Sequence, residues 1–144
     1  MRSVGFDPSS DYPLGSRRPD LVTTPGGVRL DGVTLDALRA GRLSGEDVRA
    51  TPETLRRQAE VARAAGREQL AANFERAAEL AAIPAEVILD VYTALRPHRS
   101  TAAELEDWAE RLEREHGAPR CARFVREARA ASLERGLLAH GQRR

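Results

Sequence analysis

The amino-acid sequence predicts a mainly α fold, a single helical domain of five or more helices behind an extended, Pro/Gly-rich N-terminal arm. Three observations carry this. From Thr34 onward, apolar residues recur at three- and four-residue spacing between dense helix caps and stops. Prolines and glycines crowd residues 1–33 instead. Aromatic residues make up only 4% of the 144, so the core must be built from Leu, Val, Ile and Ala, and alanine faces let helices approach closely. A chain of this size hides roughly two-thirds of its unfolded surface, enough for one modest core.

The arm, residues 1–33, holds Pro8, Pro13, Pro19 and Pro25 with Gly5, Gly15, Gly26, Gly27 and Gly32. Proline lacks an amide proton and fixes φ, glycine is costly to order, and no helical period survives. Gly26–Gly27 separates Leu21-Val22-Thr23 from Val28-Arg29-Leu30. That pattern suits either a small hairpin or an extended strand of chain. A lone hairpin is marginal in water, so either form needs a surface to lie on, a first pointer to a partner.

The helical domain is expected over 34–140. Thr34 caps a short helix that ends at Gly41, and Ser44 with Asp47 forms an S-x-x-D box. Thr51 precedes Pro52, which sits at the first helical position, where its missing donor does no harm. That helix should run to about Ala65 and stop at Gly66. The next should run from near Arg67 to about Ala82, with Leu70, Phe74, Ala77, Ala78 and Ala81 as its apolar face.

Pro84 opens a helix whose apolar stripe is Val87, Ile88, Val91, Tyr92 and Leu95, ended by Pro97. Thr101 and Glu104 form a second capping box. Leu105, Trp108, Ala109 and Leu112 continue inward as far as His116, where Gly117 terminates the helix. Pro119 starts the last helix, with Cys121, Phe124, Val125, Ala128 and Ser132 inward and Leu137 and Leu138 closing it. The tail 141–144 should fray.

Charge and composition exclude several function classes. The net charge is +1, so no global field draws nucleic acid or a membrane, and no apolar run reaches the ~20 residues of a membrane helix. A single cysteine, Cys121, rules out an intramolecular disulfide framework and fits a reducing compartment. The first eleven residues lack a secretory pattern, and a cytoplasmic protein is expected. All 23 basic residues are arginine; this fits either a GC-rich codon bias or an interface that uses the planar guanidinium fork.

A search for chemistry finds little. His98, His116 and His140 stand apart, and one His with one Cys does not make a zinc site. The many carboxylates are interleaved with arginines, as at Glu75, Arg76 and Glu79 or Glu110, Arg111 and Arg114, and form a solvated, ion-paired face. Phosphate-binding glycine loops and the G-x-S-x-G elbow are absent. So is a D-x-H-x-x-G cobalamin motif, since no histidine has an Asp two positions before it. Arg120, Arg123, Arg126 and Arg129 line one side of the last helix, but Glu127 and Glu134 dilute them and no stacking aromatics interleave. No catalytic, cofactor-binding or metal-ligating residue is therefore expected, and no nucleic-acid role.

An ordered series of segments nevertheless resembles the small subunit of adenosylcobalamin-dependent diol and glycerol dehydratases. The segments are TPETLR (51–56), AGREQLAANFERAAELAAIP (65–84) and LRPHRST (95–101). Upstream the likeness extends through DYPL (11–14) and LDGVTLDALRAGRLSGEDVRAT (30–51), and downstream through HGAPRCARFVREA (116–128). It covers most of the chain from Tyr12 to about Arg135. His98 departs from the family, which commonly shows Tyr or Gly there. The stretch ahead of Tyr12 is shorter than the leaders of related subunits, some of which are linked with packaging in a protein-shelled microcompartment, and this counts against encapsulation.

The resemblance implies a division of labour. In this family a large subunit forms the barrel that holds substrate and a metal ion, and a medium subunit helps hold the corrinoid. The complex is a dimer of heterotrimers, a lyase that turns 1,2-propanediol or glycerol into an aldehyde and water by a radical mechanism. Adenosylcobalamin is bound by the other subunits, and no catalytic residue falls on the small one. The expected role is a helical brace that docks on the large subunit. Tyr12 and Leu14 in the arm, and Arg96 and Arg99 at the turn after Leu95, are the expected contacts. The alternative is a helical adaptor or regulatory protein derived from that subunit.

Overall fold

Side-chain caps set the starts of several helices in the computed structural model, which describes residues 5–140; the tail at 141–144 lies outside the described residues. The Thr34 hydroxyl accepts from the Ala37 N–H and starts a short helix, Leu35–Arg39. Thr51 does the same for Pro52–Ala64, accepting from Thr54. At Ala102–Arg114 the box is reciprocal: Thr101 accepts from the Glu104 N–H while the Glu104 carboxylate accepts from the Thr101 N–H. Each arrangement satisfies amides that the first helical turn leaves without partners. Gly66 and Gly117 adopt φ of +72° and +59° just after two helices, the left-handed stop that lacks a Cβ penalty only in glycine.

Seven α-helices follow one another among the described residues: α1 (Leu14–Arg17), α2 (Leu35–Arg39), α3 (Pro52–Ala64), α4 (Glu68–Leu80), α5 (Ala85–Ala94), α6 (Ala102–Arg114) and α7 (Pro119–Glu134). Short 3-10 turns at Pro19–Leu21, Leu30–Gly32 and Gly45–Val48 link the early ones. The fold is mainly α, and it divides into two compact units, one through Ala81 and one from Ala82.

In the first unit, α3 and α4 form an antiparallel hairpin closed over Ala59, Ala62 and Ala71, with Phe74 packed against them. Alanines at the contact let the two backbones approach closely. The Pro/Gly-rich stretch is tied down by polar contacts. Arg18 donates to the Gly5 carbonyl and to Asp11 at 3.0 Å, and pairs with Asp20 at 2.9 Å. Around Gly26–Gly27 the chain turns back on itself, with a single bridge between Thr23 and Arg29, the smallest version of the hairpin that the sequence allows. Asp47 pins this turn, accepting from Thr24 Oγ1 at 2.9 Å and from the Ser44 N–H at 2.8 Å. Arg57 on α3 reaches the Leu21 carbonyl at 2.7 Å.

In the second unit, α6 and α7 pack through Leu105, Ala109, Leu112, Ala118, Cys121, Ala122 and Val125, with Ile83 in the same cluster. Val87, Ile88, Val91, Ala94 and Leu95 of α5 and its C-terminal turn lie against it, as do Trp108 and Leu138. Arg126 joins the two helices by pairing with Glu106 at 2.7 Å and Glu113 at 2.9 Å. The segment after α7 is strapped to the turn after α5: His98 N–H donates to Leu137 O at 2.7 Å, and Ala139 N–H to Ser100 O at 2.9 Å.

Several inward assignments are corrected. Phe124 is 46% exposed, because the buried face of α7 is set by Cys121, Ala122 and Val125 and leaves Phe124 at its edge. Tyr92 is 69% exposed, on the side of α5 away from Val87, Val91 and Ala94. On α4 the buried positions are Ala71 and Ala78, so Leu70 and Ala81 face outward. On α4 and α7 small residues, Ala71, Ala78 and Ala122, take the place at the helix contact, whereas on α5 Val87, Ile88 and Val91 hold it.

Candidate functional site

Many of the carboxylates are occupied with holding the fold. Among the described residues no three His, Cys, Asp or Glu side chains converge as a metal-binding group. His98 is exposed on the turn after α5, His116 is half-buried beyond the end of α6, and His140 is exposed after α7. Cys121 is buried in the α6–α7 core.

The carboxylates are turned toward structure. Hydrogen bonds from the Ser44 amide and the Thr24 and Ser44 hydroxyls hold Asp47 below the usual carboxylate range. The Thr101 amide and hydroxyl do so for Glu104, and the Arg18 guanidinium for Asp20. A general acid at neutral pH needs the opposite shift. On α6, Glu110 pairs with Arg114 at 2.8 Å, and Glu106 and Glu113 pair with Arg126. Arg111 lies over the Trp108 ring, 4.3 Å from its centroid.

What remains unpartnered is surface. Of the residues expected to meet a partner, Tyr12 is half exposed beside Pro13. Leu14 is 2% exposed, so its side chain is spent inside the first unit, where it anchors the stretch that carries Tyr12. Arg96 and Arg99 share one tight turn, with the Arg99 N–H donating to Arg96 O at 3.2 Å. Both are exposed, and neither has a carboxylate partner among the described residues. Arg96 also sits just past the C-terminal end of α5, where the helix dipole favours a positive charge.

Sequence reasoning missed other exposed apolar residues: Leu35, Leu38 and Val48 in the first unit, and Leu89 in the second beside the misassigned Tyr92. In the first unit an open hollow of about 420 Å³ is lined by Phe6, Pro8, Glu60 and Arg63 among others. A second, of about 370 Å³, is lined by Val22, Leu30, Val33, Val48, Ala50 and Thr54 with their neighbours. Neither contains an imidazole.

Among known proteins, the family described as dehydratase small subunit matches residues 8–139. The chain belongs to the dehydratase small-subunit family. Its relatives include the propanediol dehydratase small subunits of Citrobacter freundii and Salmonella typhimurium, 51% and 50% identical over 129 residues. In each case the alignment covers 90% of this chain and 75% of the relative. As a member of this family the chain is one component of a dehydratase complex.

Proposed function

We propose that this chain is the non-catalytic small subunit of a coenzyme B12-dependent dehydratase that converts 1,2-propanediol or glycerol into an aldehyde and water, a lyase whose chemistry resides in its large and medium subunits. The observation that carries the reading is the family match over 8–139, joined to side chains committed to caps, ion pairs and helix contacts. Bound adenosylcobalamin supplies a radical that starts the reaction. The residues here do not fit that group: the three histidines lie apart on turns, none has an aspartate two positions before it, and neither hollow presents an imidazole. We assign the cofactor to the other subunits, in a dimer of heterotrimers in the cytoplasm, as the family resemblance implies.

The part played by this chain is mechanical. A radical reaction must be closed to water and side reactions, and a rigid site serves that need. A helical brace on the outside of the large subunit adds stiffness without touching substrate. The contacts proposed are Tyr12, presented by the stretch that Leu14 anchors, and Arg96 with Arg99 after α5.

The test is co-expression of the chain with the large and medium subunits, purification through a tag on this chain, and assay of aldehyde formation from both diols with adenosylcobalamin. A complex whose full activity needs all three chains is expected. Large and medium subunits that associate and turn over fully without it would overturn the brace. Deletion of residues 1–20 removes Tyr12 and Leu14 together and is expected to lower the yield of complex; an unchanged yield and melting temperature would remove the arm from the interface.

A further inference from the structure

The helix α5 is apolar around most of its circumference yet stands half uncovered. Its ten residues, AEVILDVYTA, include Val87, Ile88, Leu89, Val91 and Tyr92. Glu86, Asp90 and Thr93 fall on one side of it and leave most of its circumference apolar, more than one packed face requires. Here Val87, Ile88, Val91 and Ala94 pack against the α6–α7 cluster, but no residue of α5 is fully buried. The opposite side carries Ala85, Leu89, Tyr92 and Arg96, spaced i, i+4, i+7 and i+11, which places them in one stripe along the helix. Leu89 is 63% and Tyr92 69% exposed. Two surface hydrophobics alone would be ordinary; aligned on a helix that is apolar on its other side too, they are not.

Charge says what covers the stripe. It is flanked by Glu86 and Asp90 and runs into Arg96 and Arg99, which lack carboxylate partners among the described residues, as do Arg123 and Arg135, while Arg111, Arg114, Arg126 and Arg129 of the same unit are paired. Tyrosine and arginine are the residues enriched at the centre of protein interfaces. An unpaired pair of guanidinium groups at the end of an apolar stripe calls for an apolar groove bordered by carboxylates.

We infer that the outer face of α5, Leu89 and Tyr92 with Arg96 and Arg99, docks into an apolar, acid-edged groove on another subunit of the dehydratase. This rests on the reading of the chain as a dehydratase subunit, and adds to it the helix and side chains that make the contact. Tyr92 and Leu89 fill the groove. Arg96 and Arg99 set the register by bidentate pairing with its carboxylates.

The test uses the assembled complex of full-length chains. Tyr92 is replaced by the photoreactive p-benzoylphenylalanine, which keeps an aromatic ring at that position, and the irradiated complex is resolved by mass. An adduct between this chain and a different dehydratase subunit is expected. An adduct of two copies of this chain, or no adduct although the complex has formed, overturns the docking face and leaves the subunit reading standing. Failure of the unmodified chains to form any complex overturns both.

As a second readout, the double substitution Leu89→Glu with Tyr92→Glu is expected to cut recovery of the other subunits on the tagged chain by about tenfold or more. Both side chains are exposed, so folding should survive, which the circular dichroism of the chain would verify. Arg123→Glu on α7, an exposed position outside both proposed contact surfaces, serves as a control of comparable charge change and should not alter recovery. Equal recovery for all three would overturn the inference.

Discussion

Asp47 shows how one carboxylate can organise a loop that has almost no core. Its Oδ1 accepts from Thr24 and its Oδ2 from the Ser44 amide and hydroxyl, at 2.8–3.0 Å. A Cβ placed on Gly26 would lie 2.6 Å from Oδ1, so the turn needs glycine there because the carboxylate is pinned from several sides. Glu104 plays the matching part at the start of α6.

Both carboxylates sit below their ordinary values of 3.8 and 4.5, because hydrogen bonds favour the charged form. A lowered folded-state value means that the unfolded chain binds more protons. The stabilisation is therefore complete above the ordinary values and is lost as pH falls through the lower folded ones. The urea midpoint of the purified chain should hold level from neutral pH down to about 5 and then drop as the pH nears about 3. Asp47→Asn combined with Glu104→Gln should lower the midpoint at neutral pH and flatten that acid limb; an unaltered slope would show that neither carboxylate carries it.

At the scale of the elements, alanine decides the packing. Ala71 is fully buried where α4 meets α3, and Ala109, Ala118 and Ala122 are equally enclosed around α6 and α7. Ala71→Leu pushes added volume into a contact with no room for it and should destabilise by about 1–3 kcal/mol, read from chemical unfolding. A neutral result would mean that the α3–α4 hairpin opens easily.

This reliance on alanine also explains what could be read from the sequence. Helix ends were legible because caps and stops act within a few residues: Thr34, Ser44–Asp47, Thr51–Pro52, Gly66, Thr101–Glu104 and Gly117 all fall where local chemistry puts them. Helix faces were less so. Hydrophobicity ranks Phe124 and Leu70 above Ala122 and Ala71, but close helix approach favours the smaller side chain, so the large neighbours are turned to the edge. The docking side of α5 was half legible: Val87 to Tyr92 reads as strongly apolar, but only the packed structure tells which apolar residues remain outside. The pin at Asp47 joins residues more than twenty positions apart, and no local pattern in the sequence announces that pairing with Thr24.

At the scale of the whole molecule, the distribution of burial points to a chain completed by its complex. From Gly5 to Ala50 the buried residues are Phe6, Leu14, Thr24, Ala37 and Leu43, while Tyr12, Leu30, Val33, Leu35, Leu38 and Val48 are open to solvent. Backbone amides with so little apolar cover open at low cost. Those of α6 and α7, wrapped around Leu105, Leu112 and Val125, open only with the loss of a core. Hydrogen exchange on the chain alone should therefore proceed first through residues 5–50 and last in α6 and α7. Assembly with the other dehydratase subunits should then slow exchange in residues 5–50 and along α5 by about tenfold or more, since an interface closes the openings that exchange requires. Protection confined to α7 would move the interface to the opposite side of the second unit. Protection of residues 5–50 without α5 would leave the N-terminal surface as the sole contact, with the Leu89–Tyr92 stripe exposed in the complex as it is in the chain.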